Sequence, residues 1–288
     1  MVFKFSLEKG SRKFNCPNCN KRSFVKYINN EDGAYLGDLI GRCDRESKCQ
    51  YHRKPNAENS ILSSFYTISE VTPSCHNANL LFEYGKHYSQ NNFITFLKRS
   101  FSVNEIEVAV KKYFIGTSSH WQGATIFWQV DEQLNICAGK VMLYDAISGK
   151  RMKQPRAYVG WMHKILRIHD FVLQQCLFGI HNLCDYDKTT TTICIVESEK
   201  TAIIMSILFP ENLWLATGGK SNLKEALLQP VKEYKIIVHP DKTEFETWNK
   251  IVERLHKLGF RITCSNLLEN KDIEEGDDLV DFLMKVSA

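Results

Sequence analysis

Thr191-Thr192-Ile193-Cys194-Ile195-Val196-Glu197-Ser198-Glu199-Lys200 is the stretch on which the fold turns. Its apolar, partly β-branched run stops abruptly at Glu197, and apolar residues resume at helical spacing over 202–209. That pattern predicts a buried strand feeding a helix. Open α/β sheets bind ligands in the crevice beyond the carboxyl ends of their strands, and Glu197 falls there. Glu197 and Glu199 equally suit the first turn of the helix, where carboxylates meet the positive end of its dipole.

The pattern recurs downstream. Residues 213–217 read as a second strand ending in Gly218-Gly219-Lys220-Ser221, where glycines let the backbone approach a ligand and Lys220 could meet a phosphate. A plain turn before the next helix explains the same residues. Residues 235–239 form a third strand that runs into Pro240-Asp241, 246–258 an amphipathic helix closed by Gly259, and 260–264 a fourth strand. Gly276-Asp277-Asp278-Leu279-Val280-Asp281-Phe282-Leu283 opens a last helix with acidic residues in its first turn. Strands alternating with helices imply a parallel sheet with right-handed crossovers. Glu197, Asp241 and Asp278 are then expected to converge on one edge, where three carboxylates suit magnesium or manganese, hard cations that take oxygen ligands. Such an ion stabilises charge on a phosphoryl group during transfer or cleavage.

The N-terminal fifth follows a different logic. Cys16-Pro17-Asn18-Cys19 is a knuckle in which two thiolates can face one ion, and Cys43, Cys49 and His52 follow about two dozen residues later. Between them, 24–28 alternates like a strand, 29–33 has turn chemistry and 35–41 is expected to return as a second strand. Two knuckles joined by a hairpin make a zinc ribbon, which folds on its metal because it buries little else. Cys16, Cys19, Cys43 and Cys49 are the favoured ligands, with His52 in place of Cys43 as the rival set. Arg12, Lys13, Lys21, Arg22, Lys26, Arg42, Arg45, Lys48, Arg53 and Lys54 surround the ribbon and suit phosphate contacts or a solvated face. Residues 55–73 turn polar, apart from a segment at 61–68, and read as a linker.

At 288 residues the chain can hold two or three small domains, and its net charge of +4 is too modest to establish a polyanion partner without local clustering. The first residues lack the apolar core of a signal peptide and no run approaches the roughly 20 residues of a membrane helix, so a cytoplasmic protein without membrane contact is expected. Its ten cysteines are then better read as metal ligands or thiols than as a disulfide framework.

The middle of the chain predicts three short helices at 79–88, 91–99 and 103–110, then a hairpin of strands at 125–130 and 138–144. Lys150, Arg151, Lys153, Arg156, Lys164 and Arg167 follow, interleaved with Tyr158, Trp161 and His163. Basic residues for the backbone and rings for the bases are what a single-strand groove needs, although a small core needs the same aromatics.

This order of parts resembles the DnaG-type and phage-type primases, in which a zinc ribbon and a basic subdomain precede a TOPRIM domain. Ile195-Val196-Glu197-Ser198-Glu199 is similar to the first TOPRIM motif, with Ser198 where the family has glycine. Asp278-Leu279-Val280-Asp281-Phe282-Leu283 is similar to the last. Phe127-Trp128-Gln129-Val130-Asp131, Gly139-Lys140-Val141 and Cys176-Leu177-Phe178-Gly179 resemble the approach to the primase TOPRIM domain, and the resemblance implies that Lys140 faces template or nucleotide. Where the family has Asp-x-Asp, this chain reads Asp241-Lys242-Thr243, so Glu244 or Glu246 would have to substitute. The whole chain resembles more closely a group of bacterial mobile-element proteins that share Val-Glu-Ser-Glu-Lys-Thr-Ala.

The expected organisation is therefore α+β and α/β: a zinc ribbon at 1–56, a mixed α+β middle domain at 57–188 and a TOPRIM-like parallel-sheet domain at 189–288. The resemblance implies a primase-like role in DNA replication. Lys140, Arg151, Lys153, Arg156, Lys200 and Lys220 would hold single-stranded DNA, with RNA as an open second template, and Glu197, Asp241 and Asp278 would position magnesium or manganese for nucleotidyl transfer from nucleotides. A helicase partner remains open on this reading. A catalytically degenerate accessory protein and a TOPRIM nuclease are the alternatives; topoisomerase action is disfavoured because no tyrosine stands out as a nucleophile.

Overall fold

The computed structural model describes residues 4–10, 12–45, 48–55 and 72–286. The expected linker, with its segment at 61–68, lies largely outside them. The chain divides into two compact units, Met1–Val71 and Thr72–Ala288.

In the first unit β1 (Phe5–Leu7), β2 (Phe14–Asn15), β3 (Arg22–Asn29), β4 (Gly41–Cys43) and β5 (His52–Arg53) form one antiparallel sheet in which β1 and β2 share an edge of β3 and the order continues β3-β4-β5. The return strand starts later than expected. Tyr35 makes only an isolated bridge to Ile28, and regular pairing resumes at Gly41 opposite Lys26. Gly41 marks that point for a steric reason: a Cβ there would lie 2.3 Å from the Val25 carbonyl oxygen and 2.5 Å from the Phe24 ring. The core is minute. Cys16, Phe24 and Cys43 are its buried members, packed by Phe14, Cys19, Cys49 and Tyr51. A sheet with so little apolar interior depends on a staple other than the hydrophobic effect.

The second unit contains two four-stranded sheets. One is antiparallel and sequential: β6 (Gly116–Ser118), β7 (Ala124–Val130), β8 (Ile136–Met142) and β9 (Val159–Trp161). The other is parallel, with order β11-β10-β12-β13, formed by β10 (Thr192–Val196), β11 (Leu213–Ala216), β12 (Lys235–Val238) and β13 (Ile262–Cys264). Among the described residues, four α-helices precede the parallel sheet: α1 (Asn79–Tyr84), α2 (Asn92–Leu97), α3 (Val103–Lys112) and α4 (Met162–Ile165). Within the sheet, α5 (Glu199–Leu208), α6 (Glu225–Leu228) and α7 (Phe245–Lys257) connect successive strands, and α8 (Leu279–Val286) closes the unit. The fold class is thus mixed α/β behind an N-terminal zinc ribbon, with antiparallel sheets and one parallel sheet.

Strand alternation explains why both faces of the parallel sheet are covered. Ile193, Ile195, Leu213 and Leu215 point into a core with Trp248, Val252 and Leu255 of α7. Cys194, Val196, Trp214 and Ala216 point the other way, into a core with Ala202, Ile203 and Ile204 of α5. A strand buried on both faces carries no polar alternation, as the run at 193–196 shows. The second core also takes Phe93, Tyr113, Phe127, Met142 and Phe178 from ahead of the sheet. Phe178 pairs antiparallel with Ala216, and the Tyr113 hydroxyl donates to the Trp214 carbonyl at 2.8 Å. Residues on both sides of position 188 therefore share one interior.

Two caps set the helices that lead into the antiparallel sheet. The Asn91 side-chain oxygen accepts from Phe93 N at 3.1 Å and Ile94 N at 3.2 Å, and Ser102 with Glu105 forms a capping box on α3. Among the described residues no helix is long and apolar enough to cross a membrane.

Candidate functional site

In the first unit, the Sγ atoms of Cys16, Cys19, Cys43 and Cys49 all lie within 4.8 Å of one another. The Cys16–Cys49 separation is 3.5 Å and the Cys19–Cys43 separation 4.0 Å. A tetrahedral ion with Zn–S bonds of about 2.3 Å requires sulfurs about 3.8 Å apart, so this donor set fits zinc. Ser23 Oγ lies 3.1 Å from Cys43 Sγ, and Asn18 Nδ2 donates toward Cys49 Sγ at 3.5 Å, outer contacts of the kind that orient thiolate ligands. His52 is placed elsewhere: its ring stacks on Tyr27 and its Nε2 lies 3.1 Å from the Tyr27 hydroxyl. The cluster supports a structural zinc held by the four cysteines.

In the second unit, the carboxyl ends of β10, β11 and β12 carry Glu197, the 217–220 turn and Asp241. Glu197 and Asp241 are half-buried, and neither forms a salt bridge among the described residues. Burial raises the Glu197 carboxyl above its usual range, the Lys220 backbone N–H bonded to it pulls the other way, and Glu244 adds to the rise. Asp241 is pushed to about 8, first by burial and then by the charges of Asp278, Glu197 and Asp281, with Lys200 opposing. Asp241 is thus within electrostatic reach of Glu197, Asp278 and Asp281.

Asp278 is already committed there. Its Oδ1 accepts from Val280 N at 2.9 Å and Asp281 N at 3.0 Å, its Oδ2 accepts from the Thr201 hydroxyl, and Lys200 Nζ lies 3.6 Å away. Asp281 Oδ2 in turn accepts from Asp278 N at 3.2 Å. Asp278 and Asp281 thus form a reciprocal cap on α8, and Asp278 has no oxygen left unbonded for an ion. Glu197 accepts from the Lys220 backbone N–H, and neither it nor Asp241 is held by a salt bridge among the described residues. Magnesium is commonly held by one or two carboxylates and several waters, chemistry that Glu197 and Asp241 are able to offer at this edge.

Two of the predicted basic residues are internal. Lys140, on β8, donates to Glu199 Oε1 at 3.0 Å, to Glu199 Oε2 at 3.1 Å and to the Gly218 carbonyl at 2.9 Å. Glu199 is 1% exposed and Lys140 8%. The structure places the Lys140 ammonium against a buried carboxylate, the partner that a lysine on a largely buried strand requires. Gly218 has φ +73°, and a Cβ there would lie 3.0 Å from Glu199 Oε1, so glycine is what lets the turn close over the pair. Lys200 is likewise buried and directed at Asp278 and Asp281. Lys220 is exposed and pairs with Glu244 at 2.9 Å, while Arg151, Lys153 and Arg156 lie on the surface.

The irregular Asp241-Lys242-Thr243 motif has its own structure. Lys242 Nζ donates to the carbonyls of Leu268 (3.1 Å), Glu269 (2.8 Å) and Lys271 (2.8 Å). Thr243 adopts φ +76° and its N–H donates to Glu269 Oε1 at 3.0 Å. The end of β12 thereby ties down the 268–277 segment that leads to α8. Of the two glutamates, Glu244 acts electrostatically on Glu197, and Glu246 is exposed on α7.

Among solved structures, the chain is similar to the primase fragment of the bacteriophage T7 primase-helicase protein, at 16% identity and a TM-score of 0.44, covering 96% of this chain and 97% of that one. It is similar to the DnaG primase catalytic domain bound to ssDNA, at 12% identity and a TM-score of 0.47 over 73% and 74%. The Aquifex aeolicus primase, comprising zinc-binding and RNA polymerase domains, aligns at 12% identity and a TM-score of 0.39 over 93% and 75%. No curated protein sequence matches. Residues 3–61 match a zinc β-ribbon finger family. Residues 91–242, more than half of the chain and inclusive of Lys140, Glu197, Glu199, Gly218 and Asp241, match the family described as a domain of unknown function, DUF6371, and to that family the chain belongs.

Proposed function

We propose that this is a primase-like nucleic-acid-binding protein whose acidic edge, Glu197 and Asp241, holds magnesium or manganese for nucleotidyl transfer on single-stranded DNA, within the replication of a mobile element. The observation that carries the reading is the placement of two half-buried carboxylates, without a salt bridge among the described residues, just beyond the ends of the adjacent parallel strands β10 and β12, where burial first and neighbouring carboxylates second push Asp241 to about 8. A cation would offset both effects. When bound, the ion would supply charge stabilisation to a phosphoryl group. The chain's own groups would do the rest. Lys140 and Glu199 hold the Gly218 turn beside the acids, Lys242 anchors the segment behind them, and the exposed Arg151, Lys153 and Arg156 offer phosphate contacts. The ribbon would add a second, zinc-dependent grip on nucleic acid, and the soluble partners of such a protein are a template strand, nucleotides and a helicase.

A second reading is favoured by two specific observations: both Asp278 oxygens already accept hydrogen bonds, from its own helix and from Thr201, and Thr243 stands where Asp-x-Asp has its second aspartate. On that reading the fold is an accessory DNA-binding scaffold. Manganese titration of the intact protein against Glu197→Gln, alongside metal-dependent primer synthesis on single-stranded DNA, separates the two. The enzyme reading requires saturable manganese binding that Glu197→Gln abolishes together with synthesis. Synthesis unaltered by Glu197→Gln would refute it, and absence of manganese binding with retained DNA binding would establish the scaffold.

A further inference from the structure

Phosphate contacts alone do not account for the residues interleaved with the basic run after the β7–β8 hairpin. Positions 150–169 hold Lys150, Arg151, Lys153, Arg156, Lys164 and Arg167 and no aspartate or glutamate, in a chain whose net charge is only +4. All six are exposed, and none forms a salt bridge among the described residues. Cations without counter-charges on one segment raise the local potential and draw a polyanion.

The rings among these charges divide between interior and surface. His163 is 8% exposed and stacks on Phe171, with ring centroids 4.9 Å apart. Trp161 pairs with Lys140 in the strand register and so shares the sheet face that Lys140 occupies. Tyr158 differs from both. Leu143 N–H donates to its carbonyl at 3.3 Å, so Tyr158 continues the pairing of the edge strand β9, two positions before Gly160 and on the same face. Trp121, from the turn between β6 and β7, lies on that face. Its ring centroid is 5.4 Å from that of Tyr158 at 90°, and a Cβ on Gly160 would lie 3.3 Å from Trp121 Cη2. Glycine at 160 thus lets the indole settle against the edge strand. Arg156 Cζ stands 5.7 Å from the Tyr158 centroid. Trp121 and Tyr158 are half-buried, so both keep surface in water. Trp121 is seated on the margin of a core, whereas Tyr158 belongs to no hydrophobic core among the described residues, so packing does not explain its ring.

We propose, resting on the nucleic-acid-binding reading above, that Trp121 and Tyr158, bordered by Arg156, are the surface on which the chain stacks unpaired bases of single-stranded DNA. Aromatic faces accept any base, and a neighbouring guanidinium adds to the attraction, while the cations of the same segment meet the phosphates. In a duplex the bases are already stacked on one another, so the same surface then contributes only charge.

The test titrates zinc-loaded, full-length protein into fluorescein-labelled oligo(dT) across a salt series, with duplex DNA of equal length alongside. Trp121→Leu and Tyr158→Leu should each weaken oligo(dT) binding about tenfold without changing the slope of log K against log salt, because a ring carries no charge. Both should bind the duplex as the wild type does. Tyr158→Phe, which keeps the ring, should match the wild type on either ligand. Arg156→Gln should instead reduce the salt slope on the single strand by about 0.7. Fluorescence supplies a readout in which the stacking rings are intact: Trp128, Trp214 and Trp248 are buried, so unlabelled oligo(dT) should quench Trp121, and the quench should survive Trp161→Phe. That measurement decides even where a leucine variant fails to fold. Oligo(dT) binding unchanged in folded leucine variants, an equal loss on duplex, or a Trp161→Phe protein that binds oligo(dT) without a quench overturns the stacking assignment and leaves the nucleic-acid reading standing. A wild-type protein that binds neither ligand overturns both.

Discussion

Replacing Lys140 by methionine removes one charge of a pair in which the side chains are 10% and 1% exposed. Three hydrogen bonds vanish together, two to Glu199 and one to the Gly218 carbonyl. The Glu199 carboxylate stays behind, enclosed by α5, the 217–220 turn and the antiparallel sheet. Breaking a buried pair from one side costs about 3–5 kcal/mol, whereas exposed pairs are worth about 0–1 kcal/mol. For a unit of this size, at about 2–4 °C per kcal/mol, the melting temperature should fall on the order of 10 °C. Urea unfolding followed by tryptophan fluorescence is a suitable assay, because all five tryptophans lie in the second unit and the zinc ribbon is silent. The Lys140→Met/Glu199→Met double variant should recover most of the loss, since an apolar pair leaves no charge stranded. A single-variant cost below about 1 kcal/mol would refute the burial argument, as would a double variant less stable than Lys140→Met.

Asp241 makes stability pH-dependent in a defined direction: its folded pKa, about 8, lies above the unfolded value of about 3.9, so its contribution is full below about pH 4 and is lost as pH rises through about 8. Asp241→Asn should therefore gain on the wild type as pH rises through that window, read as the difference in urea midpoints. Over the same range manganese affinity should increase with pH, and calorimetry in buffers of different ionisation enthalpy should detect proton release on binding. Thr243, a β-branched residue at φ +76°, should be improved by glycine: Thr243→Gly is expected to stabilise by up to about 1 kcal/mol after the entropic cost of glycine, with Thr243→Ala neutral or worse in the same urea assay. Chelation of zinc should abolish protease resistance in the first unit and leave tryptophan fluorescence unchanged, as seen by limited proteolysis with and without EDTA.

The strands and helices of the parallel sheet were legible because periodicity reports burial: the runs at 193–196 and 213–217 are buried on both faces, and 235–239 alternates buried with more accessible residues. The zinc ligands were legible as paired thiols, and what eliminated His52 was a stacking partner, Tyr27, that spacing does not reveal. The ion pair of Lys140 was not legible, for a nameable reason. Lys140 stands among Ala138, Gly139, Val141 and Met142, opposite Phe127 on the neighbouring strand, and a lone lysine in such a run is interior and needs a counter-charge. Its partner is 59 residues away, beyond the reach of local pattern. Asp278 carried a local signal: an aspartate three residues before another at the start of an apolar helix is a capping pattern, and that role competes with metal binding for the same oxygens.

The pairing of Phe178 with Ala216 has a corollary for how this chain can be taken apart. The outer edge of β11 is sealed by residues that come before the parallel sheet, and Phe93, Tyr113, Phe127 and Phe178 fill one interior with Ala202, Ile203 and Trp214. A cut at residue 188 would leave the downstream piece with an open strand border and an apolar wall facing solvent, the combination that drives self-association. Recombination, natural or in the laboratory, therefore has to move everything from Thr72 onward as one cassette.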